Sequence, residues 1–129
     1  MKPLKIAVIG IPGKWSTEVL ADALEQKTGF RLVLDRAEIS ADLANARLMP
    51  GDTNLCELDG IMVKKISQEY SDATLDRIEL LRLAEHAGVR VFTSPEKIIR
   101  MIDRLACTMT LSNGGIPMPA TTVTENVDE

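Results

Sequence analysis

The residues VRVFTSPEKIIRMIDRLACTMTLSNGGIPMPATT, Val89 to Thr122, read as a strand, a helix, a glycine stop and an exit toward a further strand. Val89, Val91 and Phe92 make a short β-type run. Ser94 can cap the next helix, and Pro95 suits a first helical turn, where a missing N–H costs nothing. Ile98, Ile99, Ile102, Leu105, Ala106 and Met109 then recur at helical spacing, which predicts one continuous helix. Gly114 and Gly115 supply the left-handed turn that ends it, and Pro117 forbids its resumption. Thr121–Thr124 opens a new β-type run, and Glu125–Glu129 adds no core-forming residues to it.

The same alternation extends back to the start of the chain. Leu4–Ile9 is an apolar run of the kind buried on both faces of a parallel sheet. Gly10-Ile11-Pro12-Gly13 breaks it, and Ser16 or Thr17 can cap a helix from about Glu18 to Lys27 with Val19, Leu20, Ala23 and Leu24 inward. Gly29 closes that helix and Phe30–Leu34 is a second strand, completing a βαβ opening of ordinary size. Ala37–Leu43 and Ala46–Met49 suggest a hairpin-like excursion, with Pro50-Gly51-Asp52 as a turn. Gly60–Ile66 is a stronger strand. Ser71 can cap a helix through Ala87 that turns Leu75, Ile78 and Leu81 inward, and Gly88 closes it before Val89. Strands alternating with helices imply an α/β fold: a doubly wound, largely parallel sheet with right-handed crossovers.

Composition bounds the function. The 129 residues are 45% apolar and 26% charged, a balance that supports a folded core. Net charge is −4 with basic residues scattered, which argues against a nucleic-acid partner. Cys56 and Cys107 have no metal-ligand spacing, so two reduced core thiols are expected. No apolar run reaches the roughly 18 residues of a membrane helix. Ile6–Ile9 is too short for a signal segment, so a cytoplasmic location is expected and no membrane partner.

The succession from Ser94 to Thr121 resembles the join between the first two subdomains of ATP-grasp carboxylate–amine ligases of the RimK-like branch. Ser94-Pro95 matches the family's turn, Asp103-Arg104 stands where Asp-Lys is usual, and Gly115-Ile116-Pro117-Met118-Pro119-Ala120-Thr121 matches the exit into the ATP-binding part. The resemblance covers essentially the whole chain as the family's N-terminal piece. It implies a Rossmann-like pre-ATP-grasp domain over 1–93, with 94–129 as the linking helix and start of the ATP-grasp N-subdomain. It implies too an enzyme that uses ATP and Mg²⁺ to activate a carboxylate as an acyl-phosphate, which an amine attacks, often adding an amino acid to a peptide, protein or cofactor. In the family the second phosphate-binding lysine, the Gly-rich loop and the metal ligands lie further along. The chain alone is therefore expected to be inactive and to bind ATP weakly. Its expected partners are the missing catalytic domain or subunit and an amino-acid or carboxylate substrate; a homo-oligomer is compatible with all of this.

None of the candidate site residues is expected to be catalytic and none a metal ligand. Gly10-Ile11-Pro12-Gly13-Lys14-Trp15-Ser16 is a glycine-containing turn opening a helix, but it matches neither Walker A nor Gly-x-Gly-x-x-Gly. It is either a plain β–α turn or, since ligands gather at the carboxyl ends of strands, the border of an acceptor site with Gly13, Lys14 and Ser16 as contacts. Trp15 suits a lid or a ligand platform equally. Lys64 and Lys65 end a strand, where successive side chains alternate. The resemblance implies that one of them holds a substrate carboxylate or phosphate; the plain alternative is a solvated strand end. Arg104 keeps the charge of the family lysine that reaches nucleotide phosphates, though a planar guanidinium is not a point charge. Its plain reading is a surface pair with Asp103. His86, the single histidine, sits near a helix C-terminus, where the dipole favours a cation. The alternative to a ligase is a non-catalytic Rossmann-like module that binds a small anion or docks onto a partner.

Overall fold

A computed structural model describes residues 2–66 and 71–128. The chain divides into two compact units, Met1–Ile99 and Arg100–Glu129.

In the first unit β1 (Ile6–Ile9), β2 (Val33–Leu34), β5 (Gly60–Val63) and β6 (Arg90–Phe92) form one sheet in the order β2-β1-β5-β6, every pairing parallel. Ala7, Val8, Ile9 and Ile61 are buried, which fits the continuous apolar runs that a sheet covered on both faces demands. Helix α1 (Trp15–Thr28) connects β1 to β2, and α2 (Asp72–His86) connects β5 to β6. Between β2 and β5 a hairpin, β3 (Ser40–Asp42) with β4 (Arg47–Met49), pairs antiparallel. Leu48 of β4 is fully buried, and β4 packs against α2. The doubly wound parallel sheet expected from the alternation of runs is the observed fold.

The elements differ in detail from the sequence expectations. Helix α1 begins at Trp15, three residues before the expected Glu18, with Lys14 and not Ser16 or Thr17 at its N-cap. Its buried residues are Thr17 and Ala21, while Val19 is exposed. Gly10 explains the rotation. A Cβ there would lie 2.7 Å from both Cγ2 and Oγ1 of Thr17, so the strand end and the helix touch through a glycine and a small side chain. That contact turns Thr17 and Ala21, i and i+4, toward the sheet. In α2, Thr74, Ile78, Leu81 and Ala84 are buried, and Leu75, expected inward, is exposed. Thr74 takes the inner place while its Oγ1 accepts a hydrogen bond from the Ser71 amide at 3.0 Å, closing the helix start. The second strand is only two residues long, and Ala37 lies in a 3-10 turn (Arg36–Glu38) rather than in a strand.

The expected single helix after Pro95 is two: α3 (Pro95–Ile102) and α4 (Arg104–Asn113). Asp103 is extended (φ −72°, ψ 100°), and its carboxylate accepts from the Ala106 amide at 3.1 Å as the N-cap of α4. A short acidic side chain offers the backbone that alternative wherever packing does not hold the helix straight. Packing does not hold it here, since α4 buries none of its residues and Leu105 and Met109 are exposed. Within the second unit, Gly115 (φ +74°) supplies the left-handed turn, and Ile116 N–H donates to Leu111 O at 3.1 Å, the closing bond of a Schellman stop. Residues 116–128 form no strand, so the β-type run expected at Thr121–Thr124 is not one. Glu129 lies outside the described residues.

Candidate functional site: a lysine-lined cleft at the sheet's switch point

From β1 the chain moves to one side of the sheet, and from β5 to the other. The reversal falls between β1 and β5, which are neighbours, and the loops leaving their carboxyl ends must part there. In open α/β sheets this is where ligands bind. An open cleft of about 360 Å³ occupies the position, lined by Ile11, Lys14, Ser16 and Thr17 from the first loop and by Lys64 and Lys65 from the second.

Backbone bonds hold the two loops in place. The amides of Lys64 and Lys65 both donate to the Ile9 carbonyl, at 2.7 and 3.2 Å, which ties the end of β5 to the end of β1. The Lys14 amide donates to Ile11 O at 3.1 Å, folding the first loop into a tight turn. Gly13 completes that turn at φ +83°, where a side chain would be strained. The Gly13 amide donates to Glu18 Oε1 at 2.8 Å. Gly13 therefore shapes the loop from outside the lining, and Lys14, Ser16, Lys64 and Lys65 meet in the cleft. Arg104, in the other unit, is an exposed first residue of α4.

The electrostatics of the cleft are one-sided. Among the described residues none of Lys14, Lys64 and Lys65 is in an ion pair. On α1, Glu18 is committed elsewhere: it pairs with Arg31, which also takes Asp22 at 3.0 Å and Glu25 at 3.7 Å. The Gly13 amide and then Arg31 hold the Glu18 carboxyl below its ordinary value. Three cations thus face one opening. The arrangement can hold a carboxylate or a phosphate.

A depressed carboxyl stabilises the fold only while ionised. Glu18 therefore contributes fully above its ordinary value of 4.5, and the contribution is lost as pH falls through the lower folded value. Denaturant unfolding of wild type and Glu18→Gln should show wild type the more stable at about pH 7 and the two converging as pH falls through the lowered folded value. A gap that persists unchanged at acid pH would mean that ionisation of Glu18 does not stabilise the turn.

Other features do not compete as a site. A cleft at the amino ends of the strands is lined by Lys5 and Arg31 but also by Asp52 and Glu57, so its charge is mixed. A groove within the second unit, between α4 and the exit segment, is lined by Thr108, Met109, Ser112, Ile116 and Met118 among others and has no ionic side chain. His86 ends α2, at the amino ends of the strands. Cys56 and Cys107 are free and half-buried rather than core residues, and burial pushes the Cys56 thiol up. Among the described residues no group of three His, Cys, Asp or Glu side chains could hold a metal ion, and no helix is long and apolar enough to cross a membrane.

No protein-family model matches the chain. In sequence it is similar to tetrahydromethanopterin:alpha-L-glutamate ligase of Methanosarcina acetivorans, 26% identical over 134 aligned positions that take in 99% of this chain and the N-terminal 41% of the relative. In fold it is similar to the ATP-grasp ligase PsnB, solved in complex with a minimal precursor. The TM-score there is 0.65 at 20% identity, covering 92% of this chain and 45% of PsnB. Both likenesses bear out the resemblance read from Ser94–Thr121, to the N-terminal portion of an ATP-grasp ligase. The chain spans less than half the length of either relative.

Proposed function

We propose that this sequence is the substrate-recruiting, N-terminal portion of an ATP-dependent carboxylate–amine ligase of the RimK-like branch. In this reading residues 1–93 are the pre-ATP-grasp domain and 94–129 lead into the ATP-grasp N-subdomain. The observation that carries it is the cluster of three lysines, none in an ion pair among the described residues, at the switch point of the sheet. The cleft holds an anionic group of the acceptor, while ATP is bound by parts of the ligase outside this unit, with Arg104 contributing a phosphate contact.

The reaction transfers the terminal phosphoryl group of ATP to a carboxylate oxygen, leaving ADP. The amine nitrogen then attacks the acyl carbon, the carbon–oxygen bond to phosphate breaks, and the nitrogen loses a proton. Here the role of Lys14, Lys64 and Lys65 is to fix the acceptor and offset its charge, a positioning contribution. Mg²⁺ would accompany ATP, but the described residues include no fitting ligand set for it, so no part of the reaction is assigned to a metal bound here. The product is an amino acid joined to a peptide, protein or cofactor.

In the complete ligase, Lys64→Ala and Lys65→Ala should each raise KM for the acceptor about tenfold, the loss of one charge-assisted contact, with KM for ATP unchanged. The 129-residue chain alone should bind ATP more weakly than about micromolar, a figure set by its few phosphate contacts. Micromolar ATP binding by calorimetry, or acceptor KM values indifferent to both lysines, would overturn the assignment. A non-catalytic anion-binding module predicts instead that anion affinity depends on the lysines while no ligase activity accompanies it.

A further inference from the structure

Of the described residues that line the cleft, Thr17 alone is buried, at 2% exposure, while Lys14, Ser16, Lys64 and Lys65 are exposed and Ile11 is half-buried. Thr17 therefore lies at the bottom of the opening. A hydroxyl has one hydrogen to donate and two lone pairs that accept. Thr17 Oγ1 accepts from the Ile11 amide at 3.4 Å. Among the described residues its own hydrogen has no acceptor. Helical threonines commonly donate to the carbonyl one turn back, and two in this chain do so: Thr28 to Leu24 O and Thr110 to Ala106 O, each at 2.8 Å. Thr17 makes no such bond. Its side chain is held instead over Gly10, where a Cβ would come within 2.7 Å of both Oγ1 and Cγ2. A buried donor left unmet is costly, and the cleft is the one side from which a partner can reach this one.

We propose that Thr17 binds the acceptor directly, its hydroxyl donating to one oxygen of the carboxylate or phosphate group at the bottom of the cleft. Lys14, Lys64 and Lys65 offset the remaining charge from the walls. Ammonium groups on long flexible stems attract an anion without fixing where it stops, whereas a buried hydroxyl on the helix fixes the depth and orientation of one oxygen. This deepens the acceptor-site reading and rests on it.

The chain is titrated by calorimetry with citrate and, separately, with inorganic phosphate. Thr17→Val keeps the side-chain volume and removes the donor, and should weaken binding about tenfold, the loss of one hydrogen bond to a charged group. Thr17→Ser should keep most of the affinity, and Lys64→Ala should weaken both probes. Should the valine variant fail to fold, Thr17→Ala, which cannot crowd Gly10, takes its place with the same expectation. A loss seen with citrate marks a carboxylate seat and a loss seen with phosphate a phosphate seat, and either supports the contact. Unchanged affinity in Thr17→Val with Lys64→Ala still weakening both probes would overturn the Thr17 contact and leave the cleft standing. Equal losses in the serine and valine variants would overturn it too, since packing and not the hydroxyl would then be at work. Failure of both probes to bind the wild-type chain would overturn the cleft and the contact together.

Discussion

Replacing Arg36 with alanine is expected to destabilise the first unit by about 2–5 kcal/mol, whereas Arg36→Met should cost less than about 1.5 kcal/mol. Arg36 is a charged side chain only 2% exposed. Its Nε donates to Arg77 O of α2 at 2.8 Å and its Nη1 to Ile39 O, just before β3, at 3.3 Å, so it joins the hairpin to the helix. Its Nη2 is buried with no partner, and among the described residues no carboxylate pairs with it. Burial first, and then repulsion from Arg77, push its pKa down to about 10, which leaves it charged and uncompensated at neutral pH. Two effects therefore oppose each other: filled volume and two hydrogen bonds favour the fold, and a desolvated charge disfavours it. Alanine loses the first and leaves a cavity. Methionine keeps most of the volume and removes the charge, and such exchanges of buried ions for apolar groups are often neutral or stabilising. Urea unfolding of the two variants decides the matter. A methionine variant as unstable as the alanine one would show that the two carbonyl bonds outweigh the charge.

Arg36 also shows where the sequence stops being legible. Nothing in Asp35-Arg36-Ala37 distinguishes a buried arginine from a surface one, because α2, whose Arg77 carbonyl it bonds, is distant in sequence. The sheet was legible because Leu4–Ile9 and Gly60–Ile66 are apolar runs that only a covered parallel sheet satisfies. Lys14 and Ser16 could be named from the strand end before them, since the carboxyl-end rule depends on topology and topology followed from the alternation of elements, whereas Lys64 and Lys65 were named through the family resemblance as well. Helix faces were read less well. Val19 and Leu75 are apolar and exposed, because Gly10 and the Ser71–Thr74 bond fix the rotation of α1 and α2, and neither contact shows in a count of apolar residues. The break at Asp103 was missed for a related reason. The apolar spacing runs through it unbroken, yet the α4 side of that stripe is not buried, so the cap prevails.

In the complete ligase, Arg104→Ala should weaken ATP affinity by about 1.5–3 kcal/mol, roughly ten- to a hundredfold, if Arg104 takes the phosphate-contacting role of the family lysine. Its place in α4 favours that role. As the first residue of the helix it stands at the positive end of the dipole, where an anion is welcome and a cation gains nothing from the helix itself. The plain alternative, a surface pair with Asp103, is weakened by the cap. The Asp103 carboxylate is engaged with the Ala106 amide, and no ion pair joins it to Arg104 among the described residues. Arg104→Lys should retain more affinity than Arg104→Ala, since phosphate needs the charge first and the fork second. Asp103→Asn should be nearly silent, because asparagine caps as well as aspartate, whereas Asp103→Ala should cost α4 about 0.5–2 kcal/mol and misplace Arg104 with it. Calorimetric ATP affinities across this set separate the possibilities. A phosphate ligand gives Ala weak, Lys intermediate and Asn unchanged; an ion pair makes Asn as damaging as Arg104→Ala; and equal affinity for wild type and Arg104→Ala assigns Arg104 to solvent.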